Sequence, residues 1–223
     1  MLEIFNVHGK LLFRVAGQSL AGANLEGVNF SGAKLSGMNL KGTNFKGTNL
    51  KGANLSEAYL EGTNFGGADL EGACFERAYL LHTLISKANL KDVNFKNAGC
   101  YSCAFNDSDL RGVTLQGASF AGSVFCRTNL SGVSFKRTNL KRTDFLKANV
   151  IGANFDDANV TGANFKKANG IETATFYGAR GLHKAEGLES WSPYKDTLRF
   201  PDNWYPKGKV PPPDYPCKIK VDI

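Results

Sequence analysis

From Gln18 to Lys167 the chain repeats every five residues without an insertion, and its thirty consecutive pentapeptides place Leu, Phe or another apolar residue at almost every position numbered in 0 or 5. Two residues before each centre stands a small or β-branched residue, as at Ala23, Ala33, Thr43, Ala53, Ala148 and Ala163, so the unit reads Ala-Asn-Leu-x-Gly. A helix turns about 100° per residue and would smear these centres around its circumference. A flat strand fails as well, because an odd step sends alternate centres to opposite faces. The pattern requires a coil with a corner in every repeat, each side sending one small and one large residue into a central column. Glycines at positions numbered in 2 or 7, from Gly22 to Gly47, suit corners of positive φ.

These residues resemble the pentapeptide-repeat family, whose pattern is Ala-(Asp/Asn)-(Leu/Phe)-x-x, and the resemblance covers about two-thirds of the chain. It implies an all-β fold, a right-handed four-sided parallel β-helix. The core centres agree with an even-sided coil: positions numbered in 5 carry ten Phe among fifteen residues, whereas positions numbered in 0 carry only Phe30 and Phe120. Phe-rich columns are therefore expected on opposite sides. Stacked at about 4.8 Å per coil, the repeats would make a rod roughly 36 Å long.

Three segments are expected. Residues 1–16 read as a hairpin cap, with apolar runs on either side of His8-Gly9. Residues 17–169 form the β-helix. Residues 170–223 form an irregular C-terminal cap and tail, with a short helix over the last coil at 182–188. A solenoid has two open ends that invite aggregation, so both termini are expected to cover one. All seven prolines and both tryptophans lie after residue 190, and Trp191, Tyr194, Trp204, Tyr205 and Tyr215 leave two readings open. The tail docks on the solenoid, or it binds a partner or a second copy. No stretch is long and apolar enough to cross a bilayer and no signal peptide is visible, so a soluble cytoplasmic protein with no membrane partner is expected.

Catalysis needs a nucleophile or an acid–base pair held in a cleft. The three histidines, His8, His82 and His183, are spread over the hairpin, mid-rod and C-terminal segment. Cys100 and Cys103 have the spacing of a redox or metal pair, yet one is a centre and the other a small inward residue, so both are expected in the core. Cys74 and Cys126 fall at outward positions, and Cys217 in the tail. No catalytic residue, metal site or cofactor is expected.

Function should then lie on the surface, where the repeat departs from itself. Seven successive corners lack Gly: Arg77, His82, Lys87, Asp92, Asn97, Ser102 and Asp107. Near them, outward positions usually polar become Tyr59, Tyr79, Leu81, Leu84 and Tyr101. A twenty-residue coil stacks Tyr59 beside Tyr79 and Leu81 beside Tyr101, either as ladder pairs between coils or as a contact surface for a protein partner. A second candidate is a basic belt of Arg127, Lys136, Arg137, Lys141, Arg142 and Lys147, which would attract phosphates or acids.

The leading expectation is a non-enzymatic interaction or scaffold protein. One branch of the resembled family, the quinolone-resistance proteins, mimics DNA with an acidic face and binds DNA gyrase. The net charge of +7 has the wrong sign for that alternative. A nucleic-acid-binding rod acting through its basic belts is the other.

Overall fold

A computed structural model describes residues 1–188. The expected tail contacts of Trp191, Tyr194, Trp204, Tyr205 and Tyr215, and the placement of Cys217, lie outside the described residues.

The chain opens with a hairpin of β1 (Leu2–Phe5) and β2 (Leu11–Val15), paired antiparallel from Leu2–Val15 to Phe5–Leu11 with a bulge between Ile4 and Phe5. Ile4 is buried, and the Phe13 ring lies 5.6 Å from that of Phe30. Backbone bonds from Val7 N–H to the Gly32 carbonyl (2.9 Å) and from Lys34 N–H to the Phe5 carbonyl (2.9 Å) fix the hairpin to the first coil. Those bonds occupy one of the coil's four sides.

Each pentapeptide then makes one side and one corner of a right-handed four-sided coil. The residue before each centre bridges in parallel to the residue twenty positions on, as in Asn24–Asn44, Asn29–Asn49, Lys34–Asn54 and Asn39–Tyr59. Three backbone bonds per repeat tie neighbouring coils. Around Asn44, its N–H reaches the Ala23 carbonyl (2.9 Å), Leu25 N–H reaches the Asn44 carbonyl (2.8 Å), and the corner Gly27 N–H reaches the Lys46 carbonyl (3.0 Å). The backbone polar groups of each side thus find their partners on the next coil.

The core follows the alternation of Phe and Leu. Phe45 stacks on Phe65, Phe105 on Phe125 and Phe125 on Phe145 along one column, and Phe75 on Phe95 and Phe135 on Phe155 along the opposite one. Across the rod the two columns meet edge to face, as Phe125 does with Phe135. Stacking along the axis and T-shaped contact across it are the two geometries that the ring quadrupole favours. One inner column is polar instead: Thr43, Thr63, Thr83, Ser123 and Thr143 are buried, and each hydroxyl donates to the carbonyl of the residue 23 positions earlier. Thr83 thus bonds Leu60 and Ser123 bonds Cys100. Cys103 takes the place of a hydroxyl in this column, its thiol 3.1 Å from the Leu80 carbonyl.

The coil does not end where the sequence frame breaks at 168. Bridges continue as Asn154–Thr175, Asn159–Arg180 and Asn164–Glu186, and Phe176 stacks on Phe155 at 4.8 Å. The additional residues are taken up by two 3-10 turns at corners, Ile171–Thr173 and Leu182–Lys184, each preceded by a left-handed glycine, Gly170 (φ 82°) or Gly181 (φ 80°). A Cβ on Gly170 would run into the Ile151 backbone, so only glycine fits there. Of the segment 182–188, read from sequence as a short helix over the last coil, Leu182–Lys184 is helical as a single 3-10 turn at a corner, and the rest is the ladder side that follows it. A corner can bulge outward by a residue while the register restarts on the next side. No helix among the described residues is long and apolar enough to cross a membrane.

Candidate interaction surface

The rung residue, one before each centre, gives each face of the rod its character. Where it is Asn, the side chain does two jobs: Asn44 Oδ1 accepts the N–H of Lys46 (3.1 Å) and its Nδ2 donates to Asn24 Oδ1 (2.8 Å). The first contact closes the corner and the second joins the coils. One face keeps Asn or Asp at each rung from Asn29 to Asn169.

The other three faces depart from it, one with the scattered rungs Lys34, Cys74, Thr114 and Ser134, and two adjacent ones with a run of rungs at mid-rod. On the first of these two, rungs Tyr59, Tyr79 and Gly99 replace Asn; on the second, Leu84, Ala104 and Val124 do so. The corner between these faces carries Leu81, Tyr101 and Ala121. Here pairing widens into a three-residue parallel ladder, β3 (Tyr79–Leu81) on β4 (Gly99–Tyr101), in the register Tyr79–Gly99 and Leu81–Tyr101. Tyr59, Tyr79, Leu84 and Tyr101 are 59%, 42%, 50% and 39% exposed, and Leu81, paired with Tyr101, is half-buried. Outside the hairpin, the single other exposed large hydrophobic residue among the described residues is Ile151. The five side chains read from sequence therefore lie together.

Gly99, not singled out from the sequence, lets the cluster close. A Cβ there would sit 2.7 Å from Cε2 of Tyr101, so the Tyr101 ring occupies the space that any other rung would fill, and its centroid lies 6.3 Å from that of Tyr79. A rung glycine two residues before an aromatic corner is the signal for this arrangement. The corners without glycine do not alter the backbone: from Arg77 to Asp107 all seven keep φ between 52° and 60°, in the same left-handed region as the glycine corners. Each holds a conformation that costs an L-residue about 1 kcal/mol or more. The exposed corner His82 donates its N–H to the Tyr101 carbonyl (3.0 Å) within the same ladder.

The basic belt divides. Arg127 is held by both carboxylate oxygens of Asp107 (2.6 and 2.7 Å), and Arg137 faces Asp157 (3.6 Å). Lys136, Lys141, Arg142 and Lys147 are exposed and form no ion pair among the described residues. The acids are largely committed elsewhere: Lys51 bridges Asp69 and Glu71, Arg111 and Lys91 share Asp109, and Lys41, Lys46, Arg77 and Lys96 hold Glu61, Glu26, Glu57 and Glu76. The Lys51 ammonium beside Glu71, the Arg111 guanidinium beside Asp109 and that of Arg127 beside Asp107 each hold the carboxyl below its ordinary range.

Cys100 and Cys103 are buried, and burial raises the Cys103 thiol to about 11 and that of Cys100 well above its usual value. Neither is a thiolate poised for attack. No group of His, Cys, Asp and Glu among the described residues is arranged to hold a metal ion. A shallow groove of about 440 Å³ between Lys87, Lys91, Asp107, Asp109 and Arg127 is open to solvent and filled by paired charges.

The family described as pentapeptide repeats (8 copies) matches residues 15–47, 43–80 and 73–112, and the pentapeptide repeat region matches 101–176. Among solved structures, a trypsin-treated variant of QnrB1, a plasmid-mediated fluoroquinolone resistance protein, aligns at 19% identity over 73% of this chain and 88% of that one, with a TM-score of 0.61. A second trypsin-treated variant of QnrB1 aligns at 20% identity over 74% and 91%, with a TM-score of 0.51. HetL, a pentapeptide repeat protein involved in heterocyst differentiation regulation in Nostoc sp. strain PCC 7120, aligns at 21% identity over 77% and 90%, with a TM-score of 0.34. No curated protein matches the chain. At these identities the likeness to QnrB1 shows the fold alone.

Proposed function

The chain belongs to the pentapeptide-repeat family, and we propose that it is a non-enzymatic interaction or scaffold protein that docks a protein partner on Tyr59, Tyr79, Leu81, Leu84 and Tyr101. The observation that carries this reading is the clustering of four of the exposed large hydrophobic residues at mid-rod, on faces where Asn serves the fold elsewhere. A rod of stacked coils presents these side chains rigidly, so little conformational entropy is lost on docking. Tyrosines at the centre of an apolar patch are frequent binding hot spots, and removing one costs about 2 kcal/mol or more, about thirtyfold in affinity.

The gyrase-binding alternative would need a row of free carboxylates. Most acids along the rod are instead neutralised by a nearby cation, as Glu61 is by Lys41 and Asp107 by Arg127. This charge arrangement favours the protein-docking reading over DNA mimicry.

The test is an affinity pull-down from host lysate, with and without nuclease, comparing the wild type with Tyr79→Asp/Leu81→Asp. A nuclease-resistant partner lost from the variant, with thermal unfolding unchanged, is the expected result. Recovery of every partner by a folded variant would refute the assignment.

A further inference from the structure

The corner that carries the patch continues into the unpaired cations. Backbone bonds pass down this corner from coil to coil: Gly62 N–H to the Leu81 carbonyl (2.8 Å), His82 N–H to Tyr101 (3.0 Å), Ser102 N–H to Ala121 (3.0 Å) and Gly122 N–H to Lys141 (2.8 Å). Leu81, Tyr101, Ala121 and Lys141 therefore form one column, apolar at its upper end and cationic at its lower end, with Arg142 next to Lys141. At about 4.8 Å per coil, Leu81 and Lys141 stand roughly 14 Å apart along the axis.

Many cations on the ladder have an acid within reach on a nearby coil, as Lys41, Lys46, Lys51, Arg77 and Arg127 do. Lys141 and Arg142, adjacent on this corner, have none among the described residues. Their column neighbours one coil away are Ala121 and Gly122 on one side and Thr161 and Gly162 on the other. Asp144, the acid nearest in sequence, is engaged by Asn164 Nδ2 (2.9 Å) and Leu146 N–H (2.9 Å). Lys136 and Lys147, on the two flanking corners, extend the positive field to either side.

Building on the docking reading above, we infer that the partner is a protein segment with apolar side chains at one end and Asp or Glu at the other, lying along this corner from Leu81 to Arg142. The apolar end covers Leu81, Tyr101 and Leu84, and the acidic end supplies the carboxylates that Lys141 and Arg142 lack. Four coils, from the level of Tyr59 to that of Lys141, span about 19 Å, the length of roughly six extended residues or thirteen helical ones. A second copy of this chain is a poor complement, because most of its acids along the rod are already ion-paired. A nucleic-acid strand could stack bases on Tyr79 and Tyr101, but along this corner no Lys or Arg stands between Glu61 and Gly122 to follow its phosphates past the apolar end.

A displayed library of random peptides of about 16 residues, selected on the full-length protein, tests this, since that length spans the edge as a helix. Enriched sequences should carry an apolar cluster and an Asp/Glu cluster in one fixed order. Lys141→Glu/Arg142→Glu should weaken them at least about tenfold, and raising NaCl from about 50 to about 500 mM should weaken wild-type binding but not binding to the charge-reversed form. Both double variants alter exposed or half-buried side chains, and unchanged thermal unfolding checks that they fold. Enriched peptides without acids that are lost with Tyr79→Asp/Leu81→Asp alone would overturn the acidic partner and leave the docking surface standing. No enrichment, or peptides indifferent to both variants, would defeat both. An oligo(dT) of about 20 nucleotides that binds more tightly than any peptide and is released by the charge reversal would assign the edge to nucleic acid instead.

Discussion

The face running from Asn29 through Asp69, Asn89 and Asp109 to Asn169 keeps Asn or Asp at every rung, whereas the face that starts at Asn39 turns to Tyr59, Tyr79, Gly99 and Ser119 before returning to Asn139. Beneath both, the core centres are equally buried: Leu90 and Leu110 on one, Leu80 and Cys100 on the other, all fully buried. The corners match as well. Asp92 (φ 57°) donates its N–H to the Arg111 carbonyl at 3.0 Å, and His82 (φ 53°) donates to Tyr101 at 3.0 Å. The backbone and core thus tolerate two different exteriors, and the Asn ladder is an addition to the coil's stability rather than a condition for it. Side chains that give up the ladder are freed for another task.

Substituting rungs probes that contrast. Asn89 accepts the Lys91 N–H (3.3 Å) and donates to Asp69 (3.1 Å) and Glu71 (3.2 Å), so Asn89→Ala should cost about 1 kcal/mol in urea unfolding. Leu84→Asn should change stability by no more than about 0.5 kcal/mol, because Asn64 one coil earlier already places its Oδ1 2.9 Å from the Gly66 N–H and the new amide would do the same for Ser86. Equal losses at both sites would erase the distinction between the faces.

Acid sharpens it more gently. Glu71 and Asp109, on or beside the regular face, have folded-state pKa values lowered by Lys51 and Arg111. The unfolded chain binds more protons between the two values, so this stabilisation is present above the ordinary carboxylate range near 4 and is lost as pH falls through the lower folded values. Rungs Tyr59, Tyr79, Leu84 and Ala104 carry no carboxylate. Hydrogen exchange below about pH 4, corrected for intrinsic rates, should therefore open amides at Asn89 and Asp109 before those at Tyr79 and Leu81. The opposite order would mean that ion pairs do not hold the regular face.

The sequence made the coil legible because its core obeys two periods at once: five residues set the corners, and the Phe–Leu alternation at ten set the opposite columns. The patch was legible because a rung that ought to be Asn stands out as Tyr or Leu. Other features depend on what meets across coils. Gly99 matters only once Tyr101 is seen to turn its ring over it. The polar inner column of Thr43, Thr63, Thr83, Cys103, Ser123 and Thr143 emerges only when the chain is read at twenty, the number of residues per coil. The frame break near 168 looked like an ending because a linear reading cannot distinguish a lost repeat from a corner that takes in an extra residue, as at Gly170 and Gly181.

The central claim is that the mid-rod exterior serves a partner and not the fold. It is tested most directly by completing the ladder, with Tyr59→Asn, Tyr79→Asn, Leu84→Asn and Tyr101→Lys in one protein, and by measuring thermal unfolding alongside recovery of partners from host lysate. A chain that unfolds like the wild type and recovers no nuclease-resistant partner that the wild type captures is the predicted result. A chain that loses its cooperative unfolding would make the Tyr-Leu surface a structural ladder, and one that folds and retains every partner would show that no partner docks there; either result contradicts the claim.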